Sequence, residues 1–520
     1  MSIWSPGGPP GKRTAPLAED YRETPLWWDD ATFPSVAETA LPASADAVVI
    51  GAGFTGLAAA ARLGSHGKHT LVIDSGGLGE GASGRNAGMI HAGVRRSVAT
   101  LERKHGAAGR ALHDASVEAY RFVARTAAAA APDAMYTQSG WLHLAHRRSR
   151  MKSLRKDEAE RRDVLGESTV MLEDAALESE APCRGFHGGM LTDNGASIHP
   201  ARYLSGLARL SLSGGVALHL HTRVTSIERR DPGVVVHTSR GDVAAGDVLV
   251  ATNGYTDDAA PWARRRIIPI GSYIIATEPL GDARAADVSP QRRMMSDSRN
   301  FLHYWRLSPD GRLVFGGRTS FAPVSVQTAR DRLYAAMIDI YPQLSGVRLS
   351  HAWTGNVGFT FDQLPHLTRS EGVTYAMGYC GSGVALGSWM GTLAAEWIAS
   401  GARPAFSDLR FPRMPLYRGH PWLLPLVGVY FSLLDRLCAA GSATGGAAGG
   451  GPPVGPPVSS MVPPPATAAT RLPFLLTYET VFCRKKPFLL STAATMVKGM
   501  PRANVMRTGA AVVMVPESTS

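Results

Sequence analysis

Three glycines, Gly51, Gly53 and Gly56, stand in a Gly-x-Gly-x-x-Gly turn, and their spacing suits the binding of a diphosphate. Gly51 permits a tight turn, Gly53 lets a pyrophosphate approach the backbone, and Gly56 lets a following helix lie close to the preceding strand, with the anion at the helix N-terminus. Asp74 ends the next apolar run, about where an acidic side chain accepts a hydrogen bond from a ribose hydroxyl. From Gly76 to Gly88 a second glycine-rich loop carries Ser83, Arg85 and Asn86, which offer donors to phosphate where the backbone can come close. A third turn, Gly381-Ser382-Gly383, opens a helical pattern through Leu393, Ala394 and Trp397, whose N–H groups and positive end would stabilise negative charge. An ordinary glycine-rich helix start would look the same, and Asp74 alone would read as a solvated strand end.

The elements that must position these residues are legible around them. Val48-Val49-Ile50 is a short β-branched run, the Ala/Leu-rich segment to Leu63 has the composition of a helix, and Thr70-Leu71-Val72-Ile73 reads as a second strand. Strand, turn, helix and strand in that order predict an α/β, Rossmann-type dinucleotide fold. Arg223 to Ile227, Val234 to His237 and Val248 to Thr252 are further β-rich runs. The last of them ends at Asn253-Gly254, so a strand again delivers a glycine turn at the C-terminal edge of a sheet, where cofactors lie.

The chain has 520 residues, enough for two or three domains, with 44% apolar and 19% charged residues. Cys183, Cys380, Cys438 and Cys483 form no CxxC and no close cluster, which argues against a disulfide framework or a zinc site and fits a reducing, cytoplasmic compartment. Seven basic and two acidic residues lie from Cys438 onward, so much of the net charge of +11 belongs to the tail. The basic run Arg147 to Arg162 interleaves acids and reads as a solvated helix face, not as a nucleic-acid footprint. No run of about twenty apolar residues exists, so no transmembrane span is expected, and the start of the chain lacks the order of a signal peptide.

With these motifs in place, the chain from about 20 to 435 resembles the FAD-dependent oxidoreductases of the D-amino-acid oxidase family, particularly the gamma-glutamylputrescine oxidoreductase-like branch. The resemblance rests on IGAGFTGL, GASGRNAG, GWLHLAH from Gly140, the segments His187–Ala208, Val248–Thr256, Ile267–Leu280 and Ser296–Arg318, and FDQLPHL with GYCGSGVALG from Phe361 and Gly378. It implies a glutathione-reductase-like FAD fold with an inserted antiparallel-sheet substrate domain. The FAD domain would be 44–95, 196–261 and 346–405, and the substrate domain 96–195 and 262–345. An N-terminal arm (1–43) would wrap on through Trp27-Trp28, a C-terminal extension (406–437) would pack on the fold, and 438–520 would be a disordered tail. The FAD-contacting residues it implies are Gly51, Gly53, Phe54, Thr55, Gly56, Asp74, Ser83, Arg85, Asn86, Val224, Asn253, Gly254, Asp362, Gly381, Ser382, Gly383 and Val384. Relatives that link their flavin covalently carry a cysteine near Trp353-Thr354-Gly355; this chain has none there, so non-covalent FAD is expected. His91 does not sit in the histidine-linking motif.

A second dinucleotide fold for NAD(P)H is not found, so the expected reductant is a small amine or amino acid that contacts the flavin directly, and oxygen or an electron carrier would reoxidise it. Catalysis would then consist of holding the neutral amine's α-C–H against the flavin and excluding water. Tyr304, Arg306 and Arg318 are the catalytic candidates, with His303 also near the pocket, because arginine can bind a carboxylate through two hydrogen bonds. His199 reads as a hydrogen-bonded core histidine. Two other functions keep the fold: action on a modified RNA nucleoside, and non-catalytic flavin binding.

Overall fold

A computed structural model describes residues 14–299, 301–318 and 323–421. The expected tail, half of the C-terminal extension (422–437) and the first residues of the arm lie outside the described residues.

Val48, Val49, Leu71, Val72 and Ile73 are all fully buried, which explains why their strands read as unbroken apolar runs instead of alternating ones. Strand Ser44–Ile50 pairs in parallel with Thr70–Ile73 on one side, Val48 opposite Leu71, and with Gly241–Val250 on the other, Val48 opposite Val248. Side chains then alternate between two cores. Val49, Val72 and Leu249 pack against helices Phe54–Ser65, Pro200–Ser213 and Gly383–Ser400, while Val48, Ile50, Leu71 and Val248 join the core on the opposite face. Each such side chain contributes about 1.5–3 kcal/mol of burial.

The free edge of Gly241–Val250 is shared. Its first half pairs antiparallel with Val234–Thr238, its last three residues pair in parallel with Val373–Met377, and the sheet has eight strands in all. Ala217–His219 extends it beyond Thr70–Ile73.

A second sheet of nine strands is mostly antiparallel. Its centre is the pairing of Ile267–Thr277 with the twelve-residue Leu349–Thr360, followed by Leu313–Gly317, His303–Leu307 and Met294–Asp297. Along His303–Leu307 the alternation is clear: Trp305 and Leu307 join the core on one face, while Tyr304 packs with Ile274, Val314 and Trp353 on the other. That second cluster also holds Trp27 and Ala87, so this face of the sheet lies against the N-terminal arm and the loop after Asp74. Three short strands, Met89–His91, Gly195–Ser197 and Thr137–Gln138, make a third sheet. Among the described residues no helix is long and apolar enough to cross a membrane.

Candidate functional site

Ile50, Ile73 and Val250, the last residues of three neighbouring parallel strands, border a cavity of about 390 Å³. The Gly51 turn forms part of its wall. A Cβ on Gly56 would overlap the carbonyl oxygen of Gly51, so only glycine lets helix Phe54–Ser65 start this close to the strand. Gly53 faces the cavity, and a Cβ there would stand 2.9 Å from Ser83 Oγ. Gly53, the residue before this helix, has no side chain to cap it. Phe54 N–H donates to Ser83 Oγ at 2.9 Å, and the next amides, those of Thr55 and Gly56, have no intrahelical acceptor by their position.

Helix Gly383–Ser400 reaches the same cavity with its own N-terminus. Gly381, Gly383 and Val384 line the wall, and this helix too has no side-chain cap. The two helices pack so closely that a Cβ on Gly391 would overlap Thr55 O, and Thr55 Oγ1 lies 2.8 Å from Tyr379 OH. Two helix ends with unsatisfied amides on one cavity, beside a turn without side chains, make a site for a polyanion. FAD fits this set: the first helix end suits its diphosphate and the second can face a ring that gains negative charge.

Asp74 lines the cavity, with both carboxylate oxygens on backbone: Ala52 N–H donates to Oδ2 at 2.7 Å and Gly76 N–H to Oδ1 at 2.8 Å. Its carboxyl is held above the usual range, chiefly by burial, with those two hydrogen bonds opposing. Each oxygen keeps a further lone pair for a ribose hydroxyl. Asn86 also borders the cavity, but its amide donates to Ala82 O and Ser83 O and its Oδ1 accepts from Gly88 N–H, so it shapes the loop. Val224 and Asn253 line the wall as well; Asn253 Oδ1 accepts from Gly378 N–H at 2.9 Å and so ties one glycine turn to another.

Other expected residues are placed elsewhere. Arg85 donates to Glu80 O and Thr354 O and lies over the Trp28 ring at 4.9 Å, bridging the loop to the larger sheet instead of reaching the cavity. Gly254 packs on the strand Leu349–Thr360, where a Cβ would meet Gly358 N at 2.9 Å. Asp362 accepts from Leu364 N–H and pairs with His366 Nε2 at 3.1 Å, which keeps its carboxyl below the usual range despite burial and makes it a turn residue. The Ser382 hydroxyl turns from the helix to His91.

Of the catalytic candidates, Arg306 is a correction. Its guanidinium is buried and donates to Ala87 O at 2.6 Å, Ile198 O at 2.9 Å and Leu307 O at 3.3 Å, with the Trp27 ring 5.0 Å away. These donors are spent on backbone, so Arg306 clamps the loop instead of waiting for a carboxylate. Burial without an acidic partner lowers it to about 9. Tyr304 OH lies 2.9 Å from Ser272 Oγ, and Arg318 lies over the Phe359 ring at 4.4 Å. Tyr304 and Arg306 share one face of their strand, but neither they nor Arg318 border the cavity described above.

His199 is a core histidine, as its sequence setting suggested. Its Nδ1 accepts from Arg202 N–H and its Nε2 lies 2.8 Å from Asp30 Oδ1, so it caps helix Pro200–Ser213 and anchors the arm. Cys380 is buried, donates to Gly378 O, and burial raises its thiol. Tyr379 and Asn356 also line the cavity and were not singled out from the sequence. Tyr379 stands inside a motif that was recognised, whereas nothing local marks Asn356.

The family described as FAD dependent oxidoreductase (DAO) matches residues 46–397. The chain is 32% identical to the probable oxidoreductase OrdL of Rhizobium meliloti over 419 residues, 79% of this chain and 97% of that protein. It is 30% identical to the gamma-glutamylputrescine oxidoreductase of Escherichia coli over 400 residues, 75% of this chain and 93% of that one. Among solved structures, a glycine oxidase from Bacillus cereus superposes with a TM-score of 0.60 at 17% identity, covering 72% of this chain and all of that one, which shows a shared fold.

Proposed function

The chain belongs to the family of FAD-dependent oxidoreductases, and we propose that it oxidises a C–N bond of an amine or amino acid to an imine, which water hydrolyses to a carbonyl compound and a released amine or ammonia. When bound, FAD supplies the acceptor for the hydride that leaves the α-carbon. The observation that carries this reading is the pair of helix N-termini, at Phe54 and Gly383, opening on one cavity with amides left over by their position. One holds a fixed diphosphate charge, and the other stabilises charge that develops only on reduction, which is where an electrostatic contribution lowers a barrier.

Gly53, Thr55 and Gly56 then bind phosphate through backbone, Asp74 takes the ribose, and Gly381, Gly383 and Val384 border the ring. Attachment is non-covalent: strand Leu349–Thr360 presents Trp353, Thr354 and Gly355 where some relatives carry their linking thiol. Substrate enters from the side of Tyr304 and Arg318. Tyr304 fills the space over Gly316, where a Cβ would overlap its ring, and so closes that part of the sheet face. Arg318 offers the charge for a substrate carboxylate. The likeness to a gamma-glutamylputrescine oxidoreductase supports γ-glutamyl amines first, with N-methyl and D-amino acids as the other classes. Oxygen or an electron carrier takes the electrons onward, and the cysteine usage supports a reducing, cytoplasmic setting.

An anaerobic screen of the purified holoprotein against polyamines, γ-glutamyl amines, N-methyl and D-amino acids tests the proposal. Bleaching of the oxidised flavin by one class identifies the substrate; bleaching by none of them, in a protein that dithionite reduces, removes it.

A further inference from the structure

Ser382 precedes helix Gly383–Ser400, the position from which a serine hydroxyl ordinarily accepts a hydrogen bond from the second or third amide of a helix. Here it does not: the helix has no side-chain cap, and Ser382 Oγ lies 3.0 Å from His91 Nε2. The direction of that bond follows from the other ring nitrogen. His91 Nδ1 lies 3.1 Å from Ala92 O, and a carbonyl oxygen can only accept, so Nδ1 carries the proton and Nε2 presents a lone pair. The Ser382 hydroxyl therefore donates to His91.

We infer that His91 is a positioning residue, which holds the Ser382 hydroxyl away from the first turn of this helix and so leaves the amide of Val384, the second of the helix, to the group bound in the cavity. The inference rests on the reading that FAD occupies the cavity with its ring at this helix end. The imidazole is itself fixed: it meets Trp141 edge-on with ring centres 4.6 Å apart, and Trp141 Nε1 donates to Ser296 Oγ at 2.7 Å. His91 thus connects the third sheet, through Trp141, to the larger one. A proton-accepting role is disfavoured by magnitude. Burial lowers His91 to about 4, several units below an alkylammonium near the ordinary lysine value of about 10, so it would not hold a proton taken from substrate.

Removing the acceptor at His91 frees the Ser382 hydroxyl to cap the helix, where it competes with the reduced ring for the same amide. His91→Phe keeps an aromatic ring beside Trp141 and removes the lone pair. In the FAD-loaded protein its two-electron midpoint potential, measured against reference dyes, should fall by roughly fivefold in the reduction equilibrium, the size of one lost cap, or about 20 mV for a two-electron couple. Adding Ser382→Ala removes the competing hydroxyl and should return the potential to the wild-type value. His91→Leu should give the same fall and the same rescue, should phenylalanine not be tolerated. No shift in either His91 variant, or a shift that Ser382→Ala does not reverse, overturns the inference. A wild-type protein that binds no FAD would instead refute the reading of the cavity beneath it.

Discussion

The indole N–H of Trp353 donates to the backbone oxygen of Arg85 at 2.8 Å, across 268 positions of sequence. The Arg85 guanidinium answers it by donating to Thr354 O at 3.2 Å, so the loop after Asp74 is bonded in both directions to the longest strand of the larger sheet. Trp27 Nε1 adds a third bond, to Asn86 O at 2.7 Å. The loop bordering the cofactor cavity is therefore held from the sheet and the arm.

Trp353→Phe keeps the buried ring and deletes one of these bonds, leaving Arg85 O unsatisfied. A loss of about 1–3 kcal/mol is expected, seen as a lower melting temperature and weaker FAD binding by the apoprotein in a fluorescence titration. Unchanged affinity and melting temperature would show that the loop keeps its shape without the strand.

Gly53→Ala places a methyl 2.9 Å from Ser83 Oγ, and the serine side chain can shift to admit it. Gly53→Val adds branches in the path of the diphosphate and of the Phe54 amide. The alanine variant should retain FAD with reduced affinity and the valine variant should purify without it, as flavin-to-protein absorbance ratios will show. A valine variant with stoichiometric FAD contradicts the assignment of this turn.

Arg306 and Arg318 should fail differently. Arg306→Met removes the donor to three backbone oxygens and should destabilise the fold by about 3 kcal/mol or more, without discriminating between a carboxylate substrate and its decarboxylated analogue. Arg318→Ala should cost on the order of 2–5 kcal/mol in kcat/KM for the acid and little for the analogue, with Arg318→Lys recovering only part. Equal losses for acid and analogue in Arg318→Ala point to an uncharged or polyamine substrate.

Acid should destabilise the fold through its buried histidines. His91 is lowered to about 4 and His146 to about 3, each chiefly by burial, and His143 is also lowered by burial. A histidine whose folded value lies below its unfolded value of about 6.5 leaves the unfolded chain with more bound protons between the two, so stability rises with pH across that interval. The melting temperature should therefore decline as pH is lowered from about 6.5 towards 4, and His146→Gln should flatten part of the decline. A melting temperature that holds or rises over that range would mean these imidazoles are protonated in the fold.

What was legible in the sequence was local. Gly51, Gly53, Gly56 and Asp74 announce themselves because strand, turn and helix are contiguous, and the steric need for glycine at Gly56 arises from Gly51 a few residues away. For Arg306 the sequence offers only residue type and a strand-like setting, which suggest a substrate residue. Its partners, Ala87 and Ile198, flank the paired strands Met89–His91 and Gly195–Ser197, with Ile198 N–H donating to Gly88 O at 2.8 Å, a pairing between segments far apart in the chain. Arg85, Gly254 and Asp362 were expected at the cofactor for the same reason, since their motifs lie near it while their side chains or packing serve the neighbouring strand and turn. The His91–Ser382 bond joins residues far apart in the chain, and no periodicity signals it. By contrast, the burial of Trp27 was foreseeable from its place in a proline-rich arm, where large indoles gain most by docking on a neighbouring core.

Whether an amine or amino acid reduces the bound FAD is tested most directly by anaerobic titration of the purified holoprotein with γ-glutamylputrescine and with the best amine of the wider screen, following the oxidised-flavin absorbance and analysing the product. Full bleaching by one equivalent of substrate per flavin is expected, with the imine-derived carbonyl compound as product. Absorbance that no amine or amino acid changes, in protein whose FAD dithionite fully reduces, would contradict it.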